Sequence, residues 1–351
     1  MVLNKNKVAV GISGGVDSFV CAYLLKEKGF EVVGVTMILN DIKDVADKNY
    51  IDDAKKIANI LNIKHYILDL RNDFKEKVIK EFVGDYLNGK TPNPCVLCNK
   101  YIKYDKLLNF VKEEIGAYYL ALGHYVNLFF DKERNIYKVK IGKDKRKDQT
   151  YMLSSLNQEK LKHLKFPLYN FNSKEEVRKI ASNLDLEISR KKDSQGICFI
   201  DGDYKDYINK FKIEKKGNFL DLDGNILKKH DGFYNYTIGQ RVLRHMNQKL
   251  YVLNIDEKTN DIIVAKDDKI YFEGFYSETY NFLNDENHFD KILKVKVCQW
   301  GYYLDCRIIK INKKQIKIEF LKKERAVSKG QWGIFYLENE LLGGAKIESV
   351  Y

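Results

Sequence analysis

Two cysteines spaced C-x-x-C, Cys95 and Cys98, sit in the segment NGKTPNPCVLCNKYIKY (88–104), which also holds two of the chain's three prolines. Proline fixes φ, so this loop is stiff. A C-x-x-C pair can be half of a metal site, a redox pair, or one reactive thiol beside a bystander. A third thiol, Cys198, lies in KKDSQGICFI (191–200). Taken alone it reads equally well as a buried structural thiol. Cys21 falls in a helical pattern, and Cys298 and Cys306 fall in strand patterns. A second cluster, GISGGVDS (11–18), brings Gly11, Ile12, Ser13, Gly14, Gly15, Val16, Asp17 and Ser18 together between an apolar strand and a helix. A turn of this kind directs backbone N–H groups and a helix N-terminus at an anion. Gly14 and Gly15 allow close approach, the serine hydroxyls donate, and Asp17 can hold a magnesium ion bound to phosphates. The string is neither G-x-x-x-x-G-K-[ST] nor G-x-G-x-x-G.

These residues need elements to position them. KVAVGIS (7–13), FEVVGVTMIL (30–39), KHYILDL (64–70) and AYYLALGHY (117–125) read as buried strands. SFVCAYLLKEKG (18–29), YIDDAKKIANILNI (50–63) and KLLNFVKEEIG (106–116) read as the helices between them. Alternation of this kind predicts an α/β domain with a parallel sheet covered on both faces. We place that domain at 1–160, with a helical extension to about 205 that includes a helix over 173–186. A small central β-rich domain is expected over 206–275 and an antiparallel barrel over 276–351.

With 351 residues and 44% hydrophobic content, the chain is long enough for two or three domains and is not disordered. It lacks a long apolar run and a signal-like start, so a cytoplasmic enzyme without a membrane partner is expected. Scattered cysteines there are catalytic or metal-binding rather than a disulfide framework. The net charge of +12 suits a polyanion such as nucleic acid, although Lys-rich composition alone produces the same number.

SGGVDS resembles the pyrophosphate-loop signature of ATP pyrophosphatases, which cleave ATP between the α and β phosphates and adenylate a carbonyl oxygen. TPNPCVLCNKYIKY resembles the tRNA-specific 2-thiouridylase family. So do, in order, ALGHY (121–125), KDQTYML (147–153), KKDSQGICFI (191–200), YTIGQR (236–241) and AVSKGQWGIFYLENELLGGAKI (326–347). The resemblance implies an adenine-nucleotide α hydrolase-like domain, a small central domain and a C-terminal β-barrel. It implies ATP with Mg2+, a tRNA whose wobble uridine is thiolated at the 2-position, and a persulfide sulfur donor or relay protein.

The resemblance also assigns roles. Met37 and Gly123 would join residues 11–18 at the nucleotide, although Met37 alone reads as strand core. Cys198 would carry a persulfide and Cys98 would be the partner nucleophile, the two ending as a disulfide. Both thiols then need lowered pKa values, for which Lys100, Lys103, Lys191 and Lys192 are near in sequence. Asn93, Pro94 and Cys95 would touch the target base. His124, Lys147, Asp148, Gln149 and Gln331 would contact the site or the tRNA. Read without the resemblance, His124 is a satisfied polar residue, and GKDKRKDQ (142–149) is a solvated loop.

Two departures matter. Family members often have Asp at the position of Cys95, and the segment after GQR reads VLRHMNQK without the usual glycines. Cys95, Cys98 and Cys198 are also enough thiolates for a [4Fe–4S] cluster with one open iron. A small-molecule-adenylating ATP pyrophosphatase is the alternative from another class, and a non-catalytic RNA-binding protein is a third.

Overall fold

Val8, Ala9 and Val10 have no exposed surface, because their strand is covered on both faces. That strand, β1 (Asn4–Gly11), pairs in parallel with β2 (Glu31–Ile38) on one side. β2 pairs in parallel with β3 (Lys64–Asp69), and β1 pairs on its other side with β4 (Ala117–Ala121). The structure is a computed structural model that describes residues 2–41, 49–192, 196–211, 216–244, 248–284, 288–289 and 291–351. A hairpin of β5 (Val126–Asp131) and β6 (Ile136–Ile141) follows, then β7 (Leu164–Lys165), which completes the parallel order β3-β2-β1-β4-β7. The chain leaves β1 towards β2 on one side, while β4 lies on the other. The carboxyl ends of β1 and β4 therefore flank a topological switch point, where open α/β sheets bind ligands.

The expected elements form, with three differences. β4 ends at Ala121, so Leu122–Tyr125 is a connection and not strand. The helix expected from residue 106 is preceded by helical turns from Pro94, so the run Pro94–Glu113 is helical on both sides of a kink at Tyr104, with π-helical hydrogen bonding at Cys98–Leu107. The β5–β6 hairpin, expected as part of the first domain, instead pairs with the C-terminal sheet.

The central sheet holds β8 (Gly217–Leu220), β9 (Ile226–His230), β10 (Arg241–Val242), β11 (Leu250–Asp256) and β12 (Asp261–Ala265), in the order β10-β11-β12-β8-β9. The third sheet begins with β13 (Tyr271–Ser277) and β14 (Tyr280–Phe282) and continues through β15 (Ile292–Lys296), β16 (Leu304–Lys310) and β17 (Ile316–Arg325). It ends with β18 (Trp332–Leu337), β19 (Glu340–Lys346) and β20 (Ser349–Val350). β13 pairs with β17, whereas β14, two residues further on, pairs with β19 across the sheet. So short a connection requires the intervening strands to curl round, which is the barrel. β6 extends the same sheet through Leu341↔Val139.

The cores are shared between sheets. One cluster joins Ala9, Val33 and Leu120 of the parallel sheet to Trp332, Ile334 and Tyr336 of the barrel. Another joins Phe74, Phe82, Cys98 and Phe199 to Val252 and Ile262 of the central sheet.

Candidate active site

The loop after β1 is held at both ends. The Ile12 amide donates to the Val35 carbonyl at 2.8 Å, and the Thr36 hydroxyl donates to the Ile12 carbonyl at 2.8 Å. The Ser18 hydroxyl donates to the Gly15 carbonyl at 2.9 Å and accepts from the Ser13 amide at 3.2 Å. Gly14 has φ +78, and a Cβ there would sit 2.8 Å from the Tyr50 carbonyl oxygen, so only glycine fits without strain. Gly15 is the N-cap of the helix Val16–Glu27, and no side chain caps that helix. Its first N–H groups are thus left for an anion. Val16 and Ile12 anchor the loop in the core. A Cβ on Gly123, just past β4, would lie 2.9 Å from the Asp17 Cβ and 3.2 Å from the Ser18 amide nitrogen. Gly123 therefore packs directly against the start of this helix, across the switch point.

Asp17 is not idle. Its Oδ1 accepts a 2.6 Å hydrogen bond from the Tyr125 hydroxyl and pairs with the Lys174 ammonium at 2.5 Å. Lys174 is buried, 7% exposed, at the start of the helix Lys174–Leu184. Sequence reading missed it, because a lysine in a charged first turn gives no signal of burial. A cation at a helix N-terminus opposes the helix dipole, so its place there depends on Asp17. Magnesium on Asp17 would have to use Oδ2 and the phosphates themselves, which suits an ion that takes one or two carboxylates and keeps its other ligands on substrate.

The proline loop is built by local capping. Asn93 is the N-cap of the helical run and accepts from the Cys95 amide at 3.1 Å, with buried Pro94 at its first position. The Asn99 side-chain amide donates to the Cys95 carbonyl at 2.8 Å. The barrel holds the loop from outside: the Thr91 amide donates to the Lys329 carbonyl at 2.8 Å, and the Gln331 side-chain amide donates to the Thr91 carbonyl at 2.9 Å. Gln331 is thus a tether between barrel and loop. Within the π-helical segment Tyr104 leaves helical geometry (φ -99, ψ 19), and π-bulges of this kind often mark functional sites. Its hydroxyl and the Nδ1 of His124 share a 2.6 Å hydrogen bond. His124 is only 8% exposed, so its imidazole is buried. Burial holds it well below the usual histidine range, and Lys103 pushes the same way.

Cys198 follows Gly196 (φ +75) in a turn pinned by Phe199, whose ring packs edge-on against Phe74 and Phe82, each at 5.4 Å. The structure brings it to the other two thiols. Cys95, Cys98 and Cys198 feel one another electrostatically, and Lys103 acts on all three. All three are free thiols. Cys98 is buried, whereas Cys198 is exposed at the surface. The expectation of lowered pKa values fails. Burial pushes the Cys98 thiol up to about 12 and Cys198 up to about 11, and Lys103 offsets only part of this. Of the other lysines proposed to help, Lys100 lies over the Tyr101 ring and Lys191 pairs with Asp53. Among the described residues no group of three His, Cys, Asp or Glu side chains is placed to hold a metal ion.

The remaining expected residues are more embedded than a solvated loop. Gln149 accepts from the Tyr125 amide at 3.0 Å. Asp148 accepts from the Thr150 amide and hydroxyl at 3.0 and 2.7 Å, and burial raises its pKa. Lys147 is half-buried beside it. Met37 bridges two of the core clusters from β2. Residues 193–195 of KKDSQGICFI and 245–247 of VLRHMNQK lie outside the described residues.

Comparison with known proteins follows the same division. Residues 6–202 match the family model described as tRNA methyl transferase HUP domain, 205–266 the tRNA methyl transferase PRC-barrel domain, and 272–347 the aminomethyltransferase beta-barrel domain. The tRNA-specific 2-thiouridylase MnmA 1 of Caldanaerobacter subterraneus is 44% identical, over 98% of this chain and 98% of that protein. The chain belongs to the tRNA-specific 2-thiouridylase family. The member from Clostridium tetani is 42% identical, over 99% of this chain and 98% of that protein. Membership makes the chain an enzyme, a tRNA sulfurtransferase, and the HUP domain is consistent with ATP use. A solved U34-tRNA thiolase, NcsA from Methanococcus maripaludis with its [4Fe-4S] cluster, matches at 24% identity over 60% of this chain and 65% of that one. Its TM-score of 0.35 carries no argument about this site. No helix among the described residues is long and apolar enough to cross a membrane.

Proposed function

We propose that the chain uses ATP to adenylate the C2 carbonyl oxygen of the wobble uridine of tRNA, then replaces that oxygen with sulfur carried on Cys198. Oxide is a poor leaving group and AMP a good one, which is why ATP is needed. Residues 11–18 would cradle the phosphates at the helix N-terminus, with Gly123 and Met37 beside the nucleotide. A magnesium ion, when bound with ATP, offsets phosphate charge, and the free oxygen of Asp17 is the residue suited to face it.

The observation that carries the sulfur step is the convergence of Cys98 and Cys198, a hundred residues apart in sequence. The terminal sulfur of a Cys198 persulfide attacks C2 and AMP leaves, giving a C2–S–S–Cys198 adduct. The Cys98 thiolate then attacks the Cys198 Sγ, thiouridine departs with the transferred sulfur, and a Cys98–Cys198 disulfide remains. An external thiol must reduce it before the next turnover. Both thiols rest protonated in this environment, so each must lose its proton when substrate is in place, with Lys103 the nearest stabilising charge. Asn93, Pro94 and Cys95 would line the base pocket. Lys147, Asp148, Gln149, His124 and Gln331 would shape the tRNA-binding wall, His124 and Gln331 by positioning their neighbours.

One observation favours a second reading. Cys95 acts electrostatically on both other thiols. As placed here the three do not form a metal-holding group, so they would have to draw together to become the ligands of a [4Fe–4S] cluster that holds the sulfur instead. Anaerobic purification with iron and sulfide assay separates the two: iron-free protein that still thiolates tRNA removes the cluster. Full-length likeness to thiouridylases argues against a small-molecule-adenylating ATP pyrophosphatase. Mass spectrometry of tRNA nucleosides from a deletion strain tests the activity itself. Loss of 2-thiouridine, restored by the gene but not by C98S or C198S, is expected, whereas unchanged 2-thiouridine overturns the reading.

A further inference from the structure

The segment YTIGQR (236–241) has no part in the chemistry above, yet it lines a cavity of about 410 Å³ in the central sheet. The cavity lies beside β9 and β10. Lys228 and Lys229 come from one side, and Arg241 and Arg244 from the other. All four are exposed, and none forms an ion pair among the described residues, although many lysines elsewhere in the chain are paired. The one acid on the wall, Asp231, pairs with none of them. Buried His230 lies at the cavity, with its Nδ1 accepting from the Gly232 amide at 3.1 Å. Gln240 accepts through its Oε1 from the Thr237 amide at 3.2 Å, which leaves its NH2 group as a donor at the rim.

Four cations against the single acid Asp231 leave a net positive potential at the cavity that like-charge repulsion opposes, so the arrangement is suited to an anion from outside. The exposed rim and open mouth suit an extended polyanion more than an enclosed small ion. We propose that this cavity is a phosphodiester-backbone site for RNA, engaging a tRNA segment away from the target base. It rests on the tRNA reading above and adds a second place of attachment.

The fold holds the cavity in register with the cysteines. Gly239 packs so closely on Ala326 that a Cβ would sit 2.2 Å from the Ala326 side chain. The same barrel turn continues to Lys329 and Gln331, which hold Thr91. Thr91 leads through the Asn93 cap to Cys98. A backbone gripped at Arg241 is therefore at a fixed distance from the reacting thiols. Phosphate contacts of this kind set register and orientation without reading sequence.

The test is tRNA binding as a function of salt, with the full chain, wild type against K228Q/K229Q and R241Q. Each contact with a phosphate contributes about 0.9 to the slope of log K against log salt. The double variant is expected to lower that slope by about two and to weaken tRNA binding roughly tenfold or more near 0.1 M salt. ATP binding and the unfolding midpoint are expected to stay as in wild type, because the altered side chains are exposed and belong to strands of the central sheet, not to the loop at 11–18. An unchanged slope in both variants, or variants that lose binding of inorganic pyrophosphate but keep that of tRNA, would overturn the site. Wild-type protein that fails to bind tRNA would bring down the tRNA reading, and this site with it.

Discussion

Gly123→Ala probes the packing that joins the two flanks of the switch point. The added Cβ would meet the Asp17 Cβ at 2.9 Å, the Asp17 carbonyl carbon at 3.0 Å and the Ser18 nitrogen at 3.2 Å. None of these is the far end of a flexible side chain. Ordinary contact begins near 3.4 Å, so the start of the helix must retreat by about half an ångström. Overpacking of this order costs about 1–3 kcal/mol of stability, seen as a melting midpoint a few degrees lower. The functional effect is separate. Moving the helix N–H groups off the phosphates by that distance is expected to cost about 1.4 kcal/mol of interaction, which is roughly tenfold weaker ATP binding. Calorimetric titration with Mg·ATP, beside thermal unfolding, reads both. Gly84→Ala, in the helix Lys80–Leu87 with nothing within 4 Å of the new Cβ, is the control and should leave ATP binding unchanged. A lowered midpoint with unchanged ATP affinity would refute the assignment of the loop to phosphate binding. If neither quantity moves, Gly123 does not abut the loop.

Four further outcomes follow from the site. Lys174→Met leaves Asp17 without its ammonium partner; because Asp17 is partly exposed, we expect about 1–2 kcal/mol of destabilisation, below the range for fully buried pairs, together with weaker ATP binding in calorimetry. Tyr104→Phe leaves the buried His124 Nδ1 without a partner and should lower stability by about 1–3 kcal/mol in denaturant titration. Iodoacetamide at pH 8 should label Cys98 much more slowly than free cysteine, since a buried thiol raised to about 12 is almost wholly protonated there; peptide mass spectrometry showing rapid labelling of Cys98 contradicts the burial argument. His124 has a folded pKa below its unfolded value near 6.5, so the unfolded chain binds the extra proton, and the stability present above about pH 6.5 falls as pH drops towards the folded pKa. Unfolding midpoints from pH 7.5 to 5.5 should therefore decline less in His124→Asn than in wild type.

The parallel sheet and its phosphate loop were legible because their signals are local. Apolar runs alternate with helical spacing, and SGGVDS sits at a strand-to-helix junction. The convergence of Cys98 and Cys198 came from resemblance, and nothing in either segment alone encodes the other. What sequence reading missed depends on tertiary surroundings. The raised thiol pKa values arise from burial among residues distant in the chain. Lys174 reads as a surface lysine until Asp17 is placed against it. The hydrogen bond from the Gln331 side chain to Thr91 joins residues far apart in the chain and has no local signal. The π-helical segment at Cys98–Leu107 follows no propensity, since its residues suit an ordinary helix equally well.

The pairing of the β5–β6 hairpin with β19 bears on how the chain is made. Residues 136–141 emerge from the ribosome about two hundred residues before their partners at 340 and 341. Through most of synthesis the edge of β6 is an unpaired ladder beside an unfinished core, a surface open to wrong pairing with another nascent chain. Contacts of such long sequence separation also slow folding, because the loop must close before the pairing stabilises anything. Sulfur-transfer competence is therefore reached only after the last strands are released. A chain stopped short of β19 would leave β6 without its partner strand and an exposed edge behind.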